Sequence, residues 1–199
     1  MTAAHKATAT RDIILESALG LFSSKGYLGA TTKEIARVAG VAEVTLFRHF
    51  PSKEHLLEAV IQRYSFIPTL RELIPEIIDL PYEEGLLRIA RRLFESLLHL
   101  KDWIRIMHAE VQRSPEKLFE VYHGFLDRLF DTFALYFQAK QERGEMRSFD
   151  REWAARAFYG MIFCFFNMEE ILQRKEYRSV DREGAFREFV RIFAQGTTN

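Results

Sequence analysis

A chain of 199 residues with 28 basic and 28 acidic side chains carries no net charge at neutral pH, so no overall cationic field marks it for nucleic acid or an anionic membrane. Hydrophobic residues make up 48% and charged ones 28%, a balance that excludes a disordered chain and fits one or two globular domains. The single cysteine, Cys164, excludes an intrachain disulfide framework and a multi-cysteine metal site, and it fits a reducing cytoplasm. Residues 1–10 lack the apolar core of a signal peptide, so no export is expected. The stretch 153–168 is interrupted by Arg156 and Asn167 and falls short of the roughly 20 apolar residues of a membrane span. It reads as a buried helix, with Cys164 a small apolar member of it.

Apolar residues recur at helical spacing almost throughout, which predicts an all-α fold. Ile13, Ile14, Ala18, Leu21 and Phe22 form the stripe of a first helix, with Gly26 placed as its C-terminal glycine. Thr31 and Glu34 have capping-box spacing and start a second helix that runs to about Val38. Gly40 suits a tight turn, and a short helix over 42–50 then carries Val44, Leu46, Phe47 and Phe50. Pro51 and Ser52 break it, and Ser52 can cap a longer helix from Lys53, kinked at Pro68 and kinked or ended at Pro75. Further helices are expected over 83–100, 103–113, 115–143, 151–175 and 182–194, with Ser114–Pro115 a cap and first-turn proline and with Asp150 and Asp181 as caps.

Two short helices joined by a glycine-containing turn and braced by a preceding helix form a helix-turn-helix over 31–50. Within residues 11–60 stand Leu21-Phe22, Gly26-Tyr27, Thr31-Thr32, Ile35-Ala36, Ala39-Gly40-Val41, Thr45-Leu46-Phe47, His49-Phe50 and Ser52-Lys53-Glu54. In order and spacing these resemble the N-terminal DNA-binding domain of TetR-family transcriptional regulators. The resemblance implies a three-helix helix-turn-helix head over 1–52, a linking helix from about 53, and a helical ligand-binding and dimerisation domain over 53–199.

Carried over position by position, the resemblance puts Thr32 and Lys33 at the start of the second helix, where a phosphate or nearby base is met; Thr31 serves mainly as a cap. Glu43, Val44 and Thr45 match the early turn that faces base edges: Glu43 can accept from a cytosine amino group, and Val44 and the Thr45 methyl can touch a thymine methyl. Thr45 serves equally well as a helix stabiliser. Phe47 stands where the family usually has Tyr, losing a phenolic phosphate contact but keeping a ring for the sugar-phosphate backbone. His49 matches a phosphate-contacting position, Arg48 reaches phosphate or base or is a solvated charge, and Lys53 matches the family's phosphate-contacting lysine. Ala42 replaces a frequent Ser and loses a capping hydroxyl, and Val44 replaces a small Gly or Pro.

For the larger domain the resemblance implies an apolar effector cavity, with Trp103, Met107, His108, Tyr122, Phe125 and Phe158 as candidate lining residues for an apolar or aromatic small molecule. Each has core packing as its default alternative. His108 and Glu110 lack the clustered ligands of a metal site and read as a hydrogen-bonded polar face; neither metal nor cofactor is expected. The last two helices, with Met161, Ile162, Phe165 and Phe166 in one and Phe186, Phe189, Val190 and Phe193 in the other, are too apolar for one face and imply a two-fold, four-helix homodimer interface. The whole reads as a cytoplasmic, ligand-released repressor that binds a pseudo-palindromic operator on double-stranded DNA. Repressor rather than activator follows family habit. Two rivals stand beside it: a helical enzyme using His108, Glu110 and His123, and an adaptor that docks a protein on its Phe-rich last helices.

Overall fold

The computed structural model describes residues 3–111 and 116–198. In chain order they form α1 (Ala3–Gly29), α2 (Thr32–Val38), α3 (Glu43–His49), α4 (Lys53–Tyr64), α5 (Phe66–Ile77), α6 (Tyr82–His99), α7 (Lys101–Val111), α8 (Glu116–Glu142), α9 (Arg151–Phe166), a π-helical turn (Asn167–Ile171), α10 (Arg174–Tyr177) and α11 (Arg182–Thr197), with no strand among the described residues. The Ser114–Pro115 start expected for α8 lies outside the described residues. Two compact units divide the chain. The first comprises the segment through Ser65 with Asp102–Phe125; the second comprises Phe66–Lys101 with the segment from Leu126 onward. This division differs from a cut after Ser52, because α4 buries Leu56, Leu57 and Val60 where it packs on α1.

In the first unit α1 turns Ile14, Leu15, Ala18 and Phe22 inward at helical spacing. At Gly26 the backbone leaves helical space (φ 78, ψ 169) and resumes for one short turn. The Thr31 hydroxyl accepts from the Glu34 N–H at 3.1 Å, capping α2. Only half of the capping box forms, since the Glu34 carboxylate pairs with Lys25 at 2.6 Å instead of reaching back. Gly40 makes the turn at φ 68, and α3 starts at Ala42 with no side-chain cap. The linking helix is two helices rather than one kinked at Pro68. The Pro68 ring excludes the carbonyl four residues earlier, that of Tyr64, so α4 ends there and α5 begins beyond Ser65; Pro75 is accommodated inside α5.

In the second unit α6 packs against α5, α9 and α11. Its core is an aromatic lattice in which Phe158 lies 6.3 Å from Phe133 and from Phe137, and 5.2 Å from Phe193, by ring centroids. Lys140 is fully buried there, its ammonium donating at 2.8 Å to the Leu80 carbonyl and to Glu145. Asp150 and Asp181 cap α9 and α11 as expected.

Two expectations for α9 require correction. A continuous helix to 175 would set Lys175 about 140° around the axis from Glu170. Instead α9 gives way to the π turn, and Gln173 in left-handed conformation (φ 55) returns the chain so that Lys175 meets Glu170 at 2.7 Å. Nor is the stretch buried all round: Cys164 is exposed, and Trp153 keeps 69% of its surface. These residues occupy the outward side of the helix, where the sequence's near-continuous apolar character concealed a second face.

Candidate nucleic-acid interface

The interface is built on α2, its turn and α3. The turn closes with the Gly40 N–H donating to the Arg37 carbonyl at 3.2 Å and Val41 donating to the Ala36 carbonyl at 3.0 Å. On α3, Leu46 is completely buried and anchors the helix, while Val44 keeps 75% of its surface and Phe47 and Arg48 are exposed. Lys33 is exposed on α2; Thr45 and His49 are half-buried. The Thr32 hydroxyl donates to the Glu43 carboxylate at 2.7 Å, which ties the two helix starts together. The outward surface is therefore an apolar patch, Val44 and Phe47, flanked by the cations Lys33 and Arg48.

Lys53 is placed differently from the expected outward cation. Its ammonium donates to the Tyr27 carbonyl and lies 4.3 Å from the Tyr27 ring centroid. Burial lowers its pKa from the ordinary lysine value, and Glu110 and Glu54 oppose that shift. Tyr27 in turn donates its hydroxyl to Glu54 at 3.1 Å; burial first, then the Glu54 charge and hydrogen bond, raises its pKa, so it stays protonated.

Beside this cluster α7 supplies Glu110, whose carboxylate accepts from the backbone N–H groups of Tyr27 at 2.6 Å and Leu28 at 3.2 Å. These donors open the short turn after the Gly26 break, and a carboxylate satisfies them as a cap does. Gly26 is required by its positive φ, which disfavours any side chain, and a Cβ there would also push the Glu110 carboxylate out of place. Sequence reasoning placed Glu110 only on a polar face. The signal available was Gly26 followed by a turn with no capping side chain of its own.

Of the candidate pocket residues, Trp103 and Met107 are buried on α7, with Trp103 at 5.8 Å from the Phe22 ring centroid. The His108 ring meets Tyr122 edge-on at 6.5 Å, and Tyr122 lies 6.4 Å from Phe125. Burial lowers the His108 pKa from its ordinary value, which leaves the imidazole neutral at pH 7. Phe158 is not among this group. It belongs to the second unit and is completely buried in the lattice of Phe133, Phe137 and Phe193, a core residue by its contacts.

The eight residues expected at a subunit interface also divide. Ile162, Phe166, Phe186, Val190 and Phe193 are buried in the chain's own core and have little side-chain surface left for a partner, because the α6 packing consumes it. Met161, Phe165 and Phe189 are half-buried, and Trp153, Met168 and Ile192 add exposed apolar surface along the same stretches of chain.

Residues 14–60 match the model of bacterial regulatory proteins of the tetR family, and residues 84–196 match that of the C-terminal domain of AefR-like transcriptional repressors. The chain belongs to the TetR family. Among TetR relatives, the uncharacterized HTH-type transcriptional regulator YvkB of Bacillus subtilis is 32% identical over 79% of this chain and 81% of its own length. The transcriptional repressor AcnR of Corynebacterium glutamicum is 29% identical over 53% of this chain and 51% of its own. A putative TetR-family regulator from Mesorhizobium loti superposes with a TM-score of 0.72 at 25% identity, covering 100% of both chains. The FadR regulator of Bacillus subtilis, solved in complex with stearoyl-CoA, shares the fold at a TM-score of 0.73, with 19% identity over 92% of this chain and 97% of that one. This TetR chain is accordingly a DNA-binding transcriptional regulator rather than an enzyme, with an N-terminal helix-turn-helix followed by a larger helical domain. No helix among the described residues is long and apolar enough to cross a membrane.

Proposed function

We propose that this regulator is a cytoplasmic, ligand-released repressor that binds a pseudo-palindromic operator as a homodimer. The observation that carries the reading is the outward face of α3, where Val44, Phe47 and Arg48 are exposed above a helix anchored by the buried Leu46. In a two-fold dimer the two α3 helices enter successive major grooves about 34–36 Å apart. Val44 and the Thr45 methyl read thymine methyls, the Phe47 ring packs on the sugar-phosphate backbone, and Lys33, Arg48 and His49 meet phosphates or base edges. Thr32 and Glu43, bonded to each other, set the relative pitch of α2 and α3. Lys53, engaged with Tyr27, fixes the start of α4 against the end of α1.

The effector is an apolar or aromatic small molecule received by Trp103, Met107, His108, Tyr122 and Phe125, the neutral His108 being suited to an uncharged ligand. Release works through α7. The helix that carries three of these residues also holds the end of α1 through Glu110, so a ligand that displaces α7 moves the bonds to Tyr27 and Leu28. A coupling of about 1–3 kcal/mol then changes DNA affinity roughly 5–150-fold, and ligand and operator oppose each other reciprocally. Subunits associate through the outward sides of α9 and α11, using Met161 and Phe189 with Trp153 and Ile192.

The test is selection of bound duplexes from a random DNA pool by the full chain, followed by sedimentation of the complex. A pseudo-palindromic winner bound by two chains is the expected result. A folded protein that enriches no sequence overturns the operator reading, and one chain per duplex overturns the dimer.

A further inference from the structure

At the C-terminal end of α9 the second unit holds a cleft of about 490 Å³, within the roughly 300–1,000 Å³ of ordinary small-molecule sites. Phe94 and Phe165 form its apolar wall, and Glu169, Glu170, Lys175 and Arg182 are among its polar lining. It shares no lining residue with the proposed effector pocket.

The polar groups are unevenly satisfied. Glu170 is nearly fully buried, yet it is met by Lys175 at 2.7 Å, Lys101 at 3.3 Å and Arg182 at 3.6 Å. Burial alone would raise its pKa; the hydrogen bonds and charges of Lys175 and Lys101 outweigh burial and hold the carboxyl below the ordinary range. Glu183, also in the lining, is engaged by Arg91 and by Arg187 at 3.4 Å. Glu169 differs. Only 7% of the residue is exposed, Arg174 reaches its Oε1 at a long 3.8 Å, and its buried Oε2 has no hydrogen-bond partner among the described residues. A buried acceptor left unpaired has lost its water hydrogen bonds without replacement, so a donor brought to Oε2 recovers that loss.

Two further observations mark the same place. Glu169 sits in the π-helical turn, and the adjoining Gln173 adopts φ 55, a left-handed conformation uncommon for a residue with a side chain. The aromatic wall already accepts a cation, since the Arg182 guanidinium lies 4.7 Å from the Phe94 ring centroid. No group of three or more metal-ligating side chains converges among the described residues, so the cleft is not built for a metal ion.

We infer that this cleft is a second small-molecule site, specific for an amphipathic organic cation whose ammonium donates to Glu169 Oε2 while its apolar body lies against Phe165 and Phe94. It is separate from the effector pocket, and its existence does not depend on operator release.

The probe is phenethylammonium, titrated calorimetrically into the full chain, with 2-phenylethanol as the neutral counterpart of nearly the same shape. Saturable binding of one phenethylammonium per chain is expected, with 2-phenylethanol weaker by about tenfold or more. Glu169→Gln, which keeps the shape and removes the charge, weakens phenethylammonium by a similar factor; Val180→Trp, on the cleft lining, blocks it by filling space; Tyr122→Ala leaves it unchanged. Should Glu169→Gln fail to fold, Val180→Trp carries the test. No saturable heat from the wild type, equal affinity for the alcohol, or binding that survives the folded cleft variants overturns the proposal. Loss of binding in Tyr122→Ala alone also overturns it, by relocating the probe to the effector pocket.

Discussion

The helix-turn-helix head and the second unit are built from different material. α2 and α3 are seven residues each and bury only Ile35, Ala36 and Leu46 between them. Helices shorter than about 12–15 residues are marginal alone, so these depend on the Thr31 cap, the Gly40 turn and the core supplied by α1 and α4. The second unit instead interlocks Phe94, Phe133, Phe137, Phe158 and Phe166, all almost completely buried. In the head, the residues with no structural task stand out because they are few and exposed. In the second unit one residue type fills the core and reaches the surface alike, so residue identity says little about function.

The largest effect expected from breaking this contrast is Phe158→Ala, which removes the centre of the aromatic lattice and costs about 3–5 kcal/mol. Chemical denaturation should register that loss while operator sequence preference is retained; a changed preference would place Phe158 in the regulatory machinery rather than the core. Next is Glu110→Gln, which replaces a charged acceptor of two backbone N–H groups and lowers stability by about 1–3 kcal/mol. Its more telling readout is DNA affinity with and without effector, where the difference should shrink; an unaltered difference removes α7 from the release route.

Ala42→Ser supplies the hydroxyl that α3 lacks at its start and should stabilise the head by about 1 kcal/mol, seen as a higher melting temperature with DNA binding intact. The smallest effect separates two cations. Arg48→Ala should make the slope of log affinity against log salt shallower by about 0.9, one phosphate contact, whereas Lys53→Ala should leave the slope unchanged because its ammonium is committed to Tyr27. A slope change for Lys53 alone would show that it turns outward on DNA.

Local signals decided much of this protein. Helical periodicity, Thr31, Ser52, Asp150 and Asp181 as caps, and positive φ at Gly26 and Gly40 depend on neighbours within a few residues, so the all-α fold and the helix-turn-helix were legible in the sequence. What tertiary structure alone decided is where long side chains go. Lys53 turns inward because Tyr27, 26 residues away, offers a carbonyl and a ring; Glu110 becomes a cap because unpaired N–H groups lie 83 and 82 positions distant. Phe158 is core and Cys164 surface although both sit in one apolar run, since the covered side of a helix is set by the helices that pack on it. Periodicity along a chain fixes local geometry, but the partner of a buried charge or an apolar face is chosen by contacts that the chain makes only once it has folded.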